Sequence, residues 1–185
     1  SGSTQYFAES RVADNVIRIH AVTDVLTNPQ RHTFDVPVPA FDAPIDVPQL
    51  GGGTPVESVG ERIMTGVWRN GSAWFAHGIQ DPAIGDGENV ARWYEIATND
   101  FPVNSPTLVQ AGNVDPGPSL HAWMPGLAVD GQGNMAIGFS HGGPNEYPGA
   151  GFTGRLASDP PGQTTLPVNV FVEGLGNYQR IDGSG

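Results

Sequence analysis

The chain alternates between apolar and polar residues with a period of two over many short stretches. In "NVIRIHAVTDV", Ile17, Ile19 and Ala21 share one face while Arg18 and His20 point the other way. In "RHTFDVPVP", Phe34, Val36 and Val38 share a face, and Pro37 marks an edge or a strand end. "RIMTGVWR", "SAWFAHGI", "ARWYEIAT" and "TLVQAGNV" follow in close order, then "MPGLAVD", "NMAIGFS", "GAGFTGRLA" and "PVNVFVEG". No window free of Gly and Pro carries apolar residues at i, i+3, i+4 and i+7, so the pattern predicts strands throughout and no long helix. The 26 glycines and 17 prolines agree, because both residues break helix interiors and suit turns.

"VWRNGSAW" (residues 67–74) fixes one hairpin. Asn-Gly is the preferred pair for a two-residue type I′ turn. That turn pairs Arg69 with Ser72, Trp68 with Ala73 and Val67 with Trp74. Trp68 then shares a face with Phe75 and Met64, and Trp74 lies on the other with Val67 and Thr65. Large apolar groups on both faces predict a sheet covered on both sides by other sheets. Trp68, Trp74, Trp93 and Tyr94 are accordingly expected in the core between sheets.

Three turns recur about 55 to 60 residues apart, in "RVADNVIRI", "VWRNGSAWF" and "LAVDGQGNMAIGF". Each opens an apolar strand followed by two more. The expected organisation is one all-β segment of 1–185 with about three four-stranded antiparallel blades of a β-propeller, at roughly 5–52, 60–115 and 121–175. "PQLGGGTP" and "AGNVDPGPSL" are the connectors. Three blades do not close a ring, so the expected unit is a partial or self-associating propeller. A β-sandwich of ten to twelve strands is the alternative.

"RIMTGVWRNGSAWFAHGI", "VARWYEIAT", "SPTLVQAGNVD" and "MPGLAVDGQGNMAIGFSHGGPNEYPGAGFTGRLASDPPG" resemble blades of large secreted bacterial β-propeller proteins, distantly sialidase-like (BNR). The resemblance runs from about Tyr6 to Tyr178. It implies an extracellular or cell-surface location, and further blades beyond "YQRIDGSG". The aspartate box of sialidases, Ser-x-Asp-x-Gly-x-x-Trp, is met only by Asp130, Gly131 and Gly133, with no Trp following. The Phe/Tyr-Arg-Ile-Pro motif is missing, and Tyr94 and Glu95 are adjacent in a strand and so point to opposite faces. No catalytic residue carries over.

The formal net charge is −11, and all eight basic residues are arginine. Such a surface repels nucleic acid and anionic membranes, and no apolar run reaches spanning length. The absence of cysteine excludes disulfides and thiolate chemistry. "DPAIGDGEN" gathers the oxygen ligands Asp81, Asp86, Glu88 and Asn89 among glycines, a candidate calcium loop without the spacing of an EF-hand. His20, His32, His77, His121 and His141 form no spaced metal pair. Asp14, Asp130 and Glu146 are the carboxylates whose pairing would suit glycoside hydrolysis. Aromatic groups with a nearby cation suit sugar or protein binding. The candidates are Trp123 beside His121 at a blade entry, Tyr147 in a long loop, and Arg69, with Trp123 and Tyr147 expected near the surface. Arg69, Arg92 and Arg155 are expected first as ion-pair partners. The expected function is a non-catalytic extracellular module, structural, adhesive or self-assembling. Its partners are other blades, neighbouring chains or glycan. The alternative is part of a glycan-processing hydrolase.

Overall fold

The computed structural model describes residues 4–85 and 87–179. It is all-β, with eleven strands in three antiparallel sheets and one short 3-10 turn at Val12–Asp14. Sheet 1 holds β1 (Gln5–Arg11), β2 (Val16–Thr23) and β3 (Gln30–Pro37). Sheet 2 holds β4 (Thr65–Arg69), β5 (Ser72–Gln80), β6 (Asn89–Ala97) and β7 (Thr107–Val114). Sheet 3 holds β8 (His121–Val129), β9 (Met135–Gly143), β10 (Glu146–Arg155) and β11 (Asn169–Val172). Within each sheet the strands lie side by side in chain order. Among the described residues the sheets close into no ring or barrel.

The Asn70-Gly71 turn has both φ values positive, 51° and 83°. It sets the register of Arg69 with Ser72, Trp68 with Ala73 and Val67 with Trp74. Sheet 2 is the middle layer. Towards sheet 1 it presents Ala73, Phe75, Tyr94 and Ile96, which pack on Ile17, Ile19, Ala21 and Val36. Towards sheet 3 it presents Trp74, Ala76, Ala91 and Trp93, which pack on Ala122, Met135, Ile137 and Phe139. Burial on both faces explains why β5 has eight consecutive buried residues. Trp74 and Trp93 stack at 5.9 Å, and the Arg155 guanidinium lies 5.5 Å from the Trp93 ring.

The repeat extends to side chains. His20, His77 and His141 each lie on the second strand of a sheet. His20 is on the face turned away from sheet 2, His77 on the face towards sheet 1 and His141 on the face towards sheet 2, as the core residues on neighbouring positions show.

The structure departs from the pattern in three places. Sheet 1 has three strands rather than four. Residues 38–64, which follow β3, contain Pro39, Pro44, Pro48 and Pro55, and proline donates nothing to a ladder. The segment instead crosses the molecule as a connector held by isolated bridges, Asp42 to Gln80 and Val47 to Val56. Trp68 is 54% exposed rather than core, because β4 is the edge strand of sheet 2 and the space between β1 and β4 is left as an open groove. Trp123 is 2% exposed rather than at the surface, because the connector folds Val47 and Val56 over it.

Trp93→Ala is therefore expected to cost about 3 to 5 kcal/mol, and Trp68→Ala about 1 kcal/mol or less. Chemical denaturation of the two variants measures both. Equal losses would contradict the packing described.

Candidate functional site

Two places concentrate polar side chains. The first is a buried network at the end of sheet 2 remote from the Asn70-Gly71 turn. His77 and Arg92 are opposed across β5 and β6. His77 Nδ1 lies 2.8 Å from the Glu61 carbonyl, and Nε2 lies 2.9 Å from the Tyr94 hydroxyl. A carbonyl only accepts, so Nδ1 carries the proton and Nε2 accepts from Tyr94. Burial pushes the His77 pKa down to about 4, so the ring is neutral at pH 7. Burial likewise pushes the Tyr94 hydroxyl up.

Arg92 is 3% exposed and uses its whole guanidinium. Nε donates to Asn113 Oδ1 at 2.7 Å, and Nη1 donates to the Pro39 and Ala40 carbonyls at 3.1 and 2.9 Å. Nη2 is paired with Asp81. Asn113 Nδ2 also donates to Asp81, at 2.6 Å. Burial opposes the Asp81 charge, but the Ala83 amide, Asn113 and Arg92 outweigh it and hold the carboxyl below its usual value. Beside this network Asn89 brackets one residue of the connector: its Nδ2 donates to Ile45 O at 2.7 Å, and its Oδ1 accepts from Ile45 N at 3.0 Å.

The candidate calcium loop thus divides. Asp81 is engaged by Arg92 and Asn113, and Asn89 by the connector backbone. Glu88 is half-buried beside them, and Asp86 lies outside the described residues. No group of three or more His, Asp or Glu suited to a metal occurs among the described residues.

The second place is a cleft of about 1010 Å³ where the connector meets sheet 3. Trp123, Met124 and Ser140 form part of its floor. Asp46 and Glu57 stand on the connector side, and Asn177 and Tyr178 close the far side. The walls are tied to each other: Gln49 Nε2 donates to the Tyr178 carbonyl at 3.0 Å, and Gln49 Oε1 accepts from the Tyr178 amide at 2.7 Å. Asn177 Nδ2 donates to the Gly52 carbonyl at 3.0 Å. The Asp46 carboxylate accepts the Ser58 amide at 3.2 Å.

Of the four residues singled out for binding, three lie at this end of sheet 3. Trp123 is in the floor. His121 is buried two residues earlier and accepts the Asn89 amide on Nδ1 at 3.0 Å. Tyr147, half-exposed, directly precedes Pro148 of the cleft lining. Arg69 is exposed beside the Asn70-Gly71 turn. That turn is bonded through Asn70 Nδ2 to Gly131 O, at the opposite end of β8 and β9, so Arg69 does not join the cleft.

The hydrolytic carboxylates are also separated. Asp14 pairs with Arg11 at 3.2 Å in sheet 1. Asp130 holds its own turn by accepting from Gln132 N, Asn134 N and Asn134 Nδ2. The Asn134 side chain foremost, with the turn amides, keeps its carboxyl low against desolvation. Glu146 sits at the other end of β9, 3.5 Å from His141 Nδ1. The nine residues of β9 between them span about 30 Å, far beyond the ~10 Å limit of paired glycosidase carboxylates.

Asp46, Gln49, Glu57, Asn177 and Tyr178 were not singled out by sequence. Of these only Gln49 falls in the "PQLGGGTP" run, which reads as a connector. No protein-family model, curated protein or solved structure matches the chain, and no helix among the described residues is long and apolar enough to cross a membrane.

Two outcomes test the buried network. Unfolded His77 titrates near 6.5 and the native ring near 4, so the unfolded chain binds more protons between those values. Its contribution to stability is whole above about pH 6.5 and falls as the pH drops towards 4, by about 3 kcal/mol in all. Thermal melts from pH 7 to 4 should show this slope in the native protein, and a shallower one in His77→Gln. Arg92→Met should cost about 3 to 5 kcal/mol at pH 7 by leaving Asp81 buried without its cation, and Arg92→Lys should recover only part of that, since an ammonium lacks the planar fork. Urea denaturation of the pair reads the difference.

Proposed function

We propose that the chain is a non-catalytic extracellular module of propeller type, a structural or adhesive scaffold that holds long loops on stacked blades. The observation that carries this reading is the use of the interior polar groups. His77, Arg92 and Asn89 each bind backbone atoms of the connector. They therefore fasten a loop to a sheet, and none is needed to face a reacting group. The propeller arrangement is supported by three features: strands in chain order within each sheet, face-to-face stacking of sheets in chain order, and the repeated histidine of each second strand.

The cleft suits a binding role for neutral glycan. Its described lining offers amides, carboxylates and aromatic edges, with Asp46 and Glu57 as the charged groups. An anionic sugar such as a sialic acid calls for a cationic clamp, and among the described residues the lining holds no arginine. This weighs against the sialidase-like alternative.

The test pairs binding with hydrolysis. Affinity electrophoresis through gels of neutral polysaccharide should retard the protein, and Tyr178→Ala with Asn177→Ala should restore free migration. A panel of fluorogenic glycosides, neutral and sialylated, should remain uncleaved. Turnover that disappears in Asp46→Asn or Glu57→Gln would overturn the scaffold reading in favour of a hydrolase.

A further inference from the structure

The three histidines on second strands differ in what their rings meet. His77 uses both nitrogens, on the Glu61 carbonyl and the Tyr94 hydroxyl. His20 meets Glu9 through Nε2 at 3.3 Å. His141 is 2% exposed, and among the described residues neither of its ring nitrogens has a hydrogen-bond partner. Buried polar groups in native proteins are paired with protein, water or an ion, so an imidazole left bare on both sides points to a ligand.

The backbone around His141 is built to hold the ring. Gly149 is its cross-strand partner on β10, and a Cβ at Gly149 would lie 2.8 Å from Nε2. The ring is thus seated against bare backbone on its Nε2 side. Nδ1 is turned to Glu146, with Oε2 at 3.5 Å. That separation is longer than a hydrogen bond between these groups, about 2.7 to 3.2 Å. It is close to the spacing of two ligands on one ion: groups about 2.0 to 2.1 Å from a tetrahedral metal stand about 3.3 to 3.4 Å from each other. Glu146 is fixed in its turn, since its carbonyl accepts the Leu50 amide at 3.1 Å. Its side chain is 45% exposed, which leaves a way in from solvent to the buried nitrogen.

We propose that His141 Nδ1 and Glu146 are the two protein ligands of a divalent transition-metal ion of the zinc type, with water in the remaining positions. An imidazole nitrogen beside a single carboxylate suits zinc, whereas calcium and magnesium take shells of oxygen. The net charge of −11 favours a cation anywhere on the chain, but the other histidine–glutamate pair is less suited. There Glu9 already meets the Arg11 guanidinium at 3.4 Å. Among the described residues Glu146 has no arginine partner, so its charge is left for the ion. Two protein ligands make an open site of modest affinity rather than a closed structural one of four. A bound ion would pin the β9–β10 hairpin, and through Glu146 the connector at Leu50, on the side of sheet 3 that faces sheet 2. The proposal does not rest on the glycan reading, whose test reads sugar binding and hydrolysis.

Calorimetric titration of the full chain with zinc alone should show one ion bound per chain, with a dissociation constant in the micromolar range. Glu146→Gln should raise that constant at least about tenfold, and His141→Gln should abolish binding. Glu9→Gln, at the pair on sheet 1, should leave it unchanged. Zinc should also raise the melting temperature of the native protein and not that of Glu146→Gln. In the nitrogen NMR spectrum of the histidine rings, zinc should shift Nδ1 of His141 and leave the His20 ring in place. Circular dichroism confirms the fold of each variant, and the half-exposed Glu146 carries the test if His141→Gln does not fold. Absence of saturable binding overturns the proposal. Binding untouched by Glu146→Gln, or lost equally in Glu9→Gln, overturns it as well.

Discussion

The architecture depends on one buried cation. Arg92 sits at the end of the middle sheet, where the chain leaves sheet 1 and must travel past two layers before it returns as β4. A proline-rich segment has little ladder hydrogen bonding of its own, and its carbonyls need donors wherever they are buried. The guanidinium supplies two of those donors to Pro39 and Ala40 while Asp81 and Asn113 hold it in place. Asn89 and His77 repeat the device at Ile45 and Glu61. A long connector is thereby fixed to a sheet without becoming a strand, and its middle is free to reach sheet 3 and roof Trp123.

This division of labour explains what could be read from the chain and what could not. The hairpins were legible because they are local. Asn70-Gly71 admits essentially one turn type, and that turn sets the register of β4 and β5. The double coverage of β5 was legible because Trp74 and Phe75 are both large and adjacent. Alternation tells which residues share a face, but it does not tell whether a neighbouring layer extends over that part of the face. Trp68 shows the limit: it lies on the same side as Phe75, yet it sits on an edge strand beyond the cover of sheet 1.

The cleft was illegible for a related reason. Its walls are residues 46–57 and 177–179, segments with neither period-two nor helical patterning. What brings them together is a set of contacts between residues more than a hundred positions apart, such as Gln49 with Tyr178. The partner of the Asp81 carboxylate was illegible in another way. Oxygen ligands clustered in a glycine-bearing loop fit a cation, and Asp81 of that loop is engaged by the guanidinium of Arg92.

The connector also imposes an order on assembly. β1 to β3 can pair as soon as they are made, since their partners are close in sequence. The connector that follows cannot settle then. Its Val47 and Val56 need Trp123, and Gln49 needs Tyr178, 129 residues later. While the ribosome is still making sheets 2 and 3, this proline-rich span hangs between a finished hairpin sheet and an absent one, and its prolines keep it from pairing with stray strand edges in the interval. The residues that prevent a fourth strand in sheet 1 thus act as a safeguard during synthesis, keeping the segment unpaired until its distant contacts arrive.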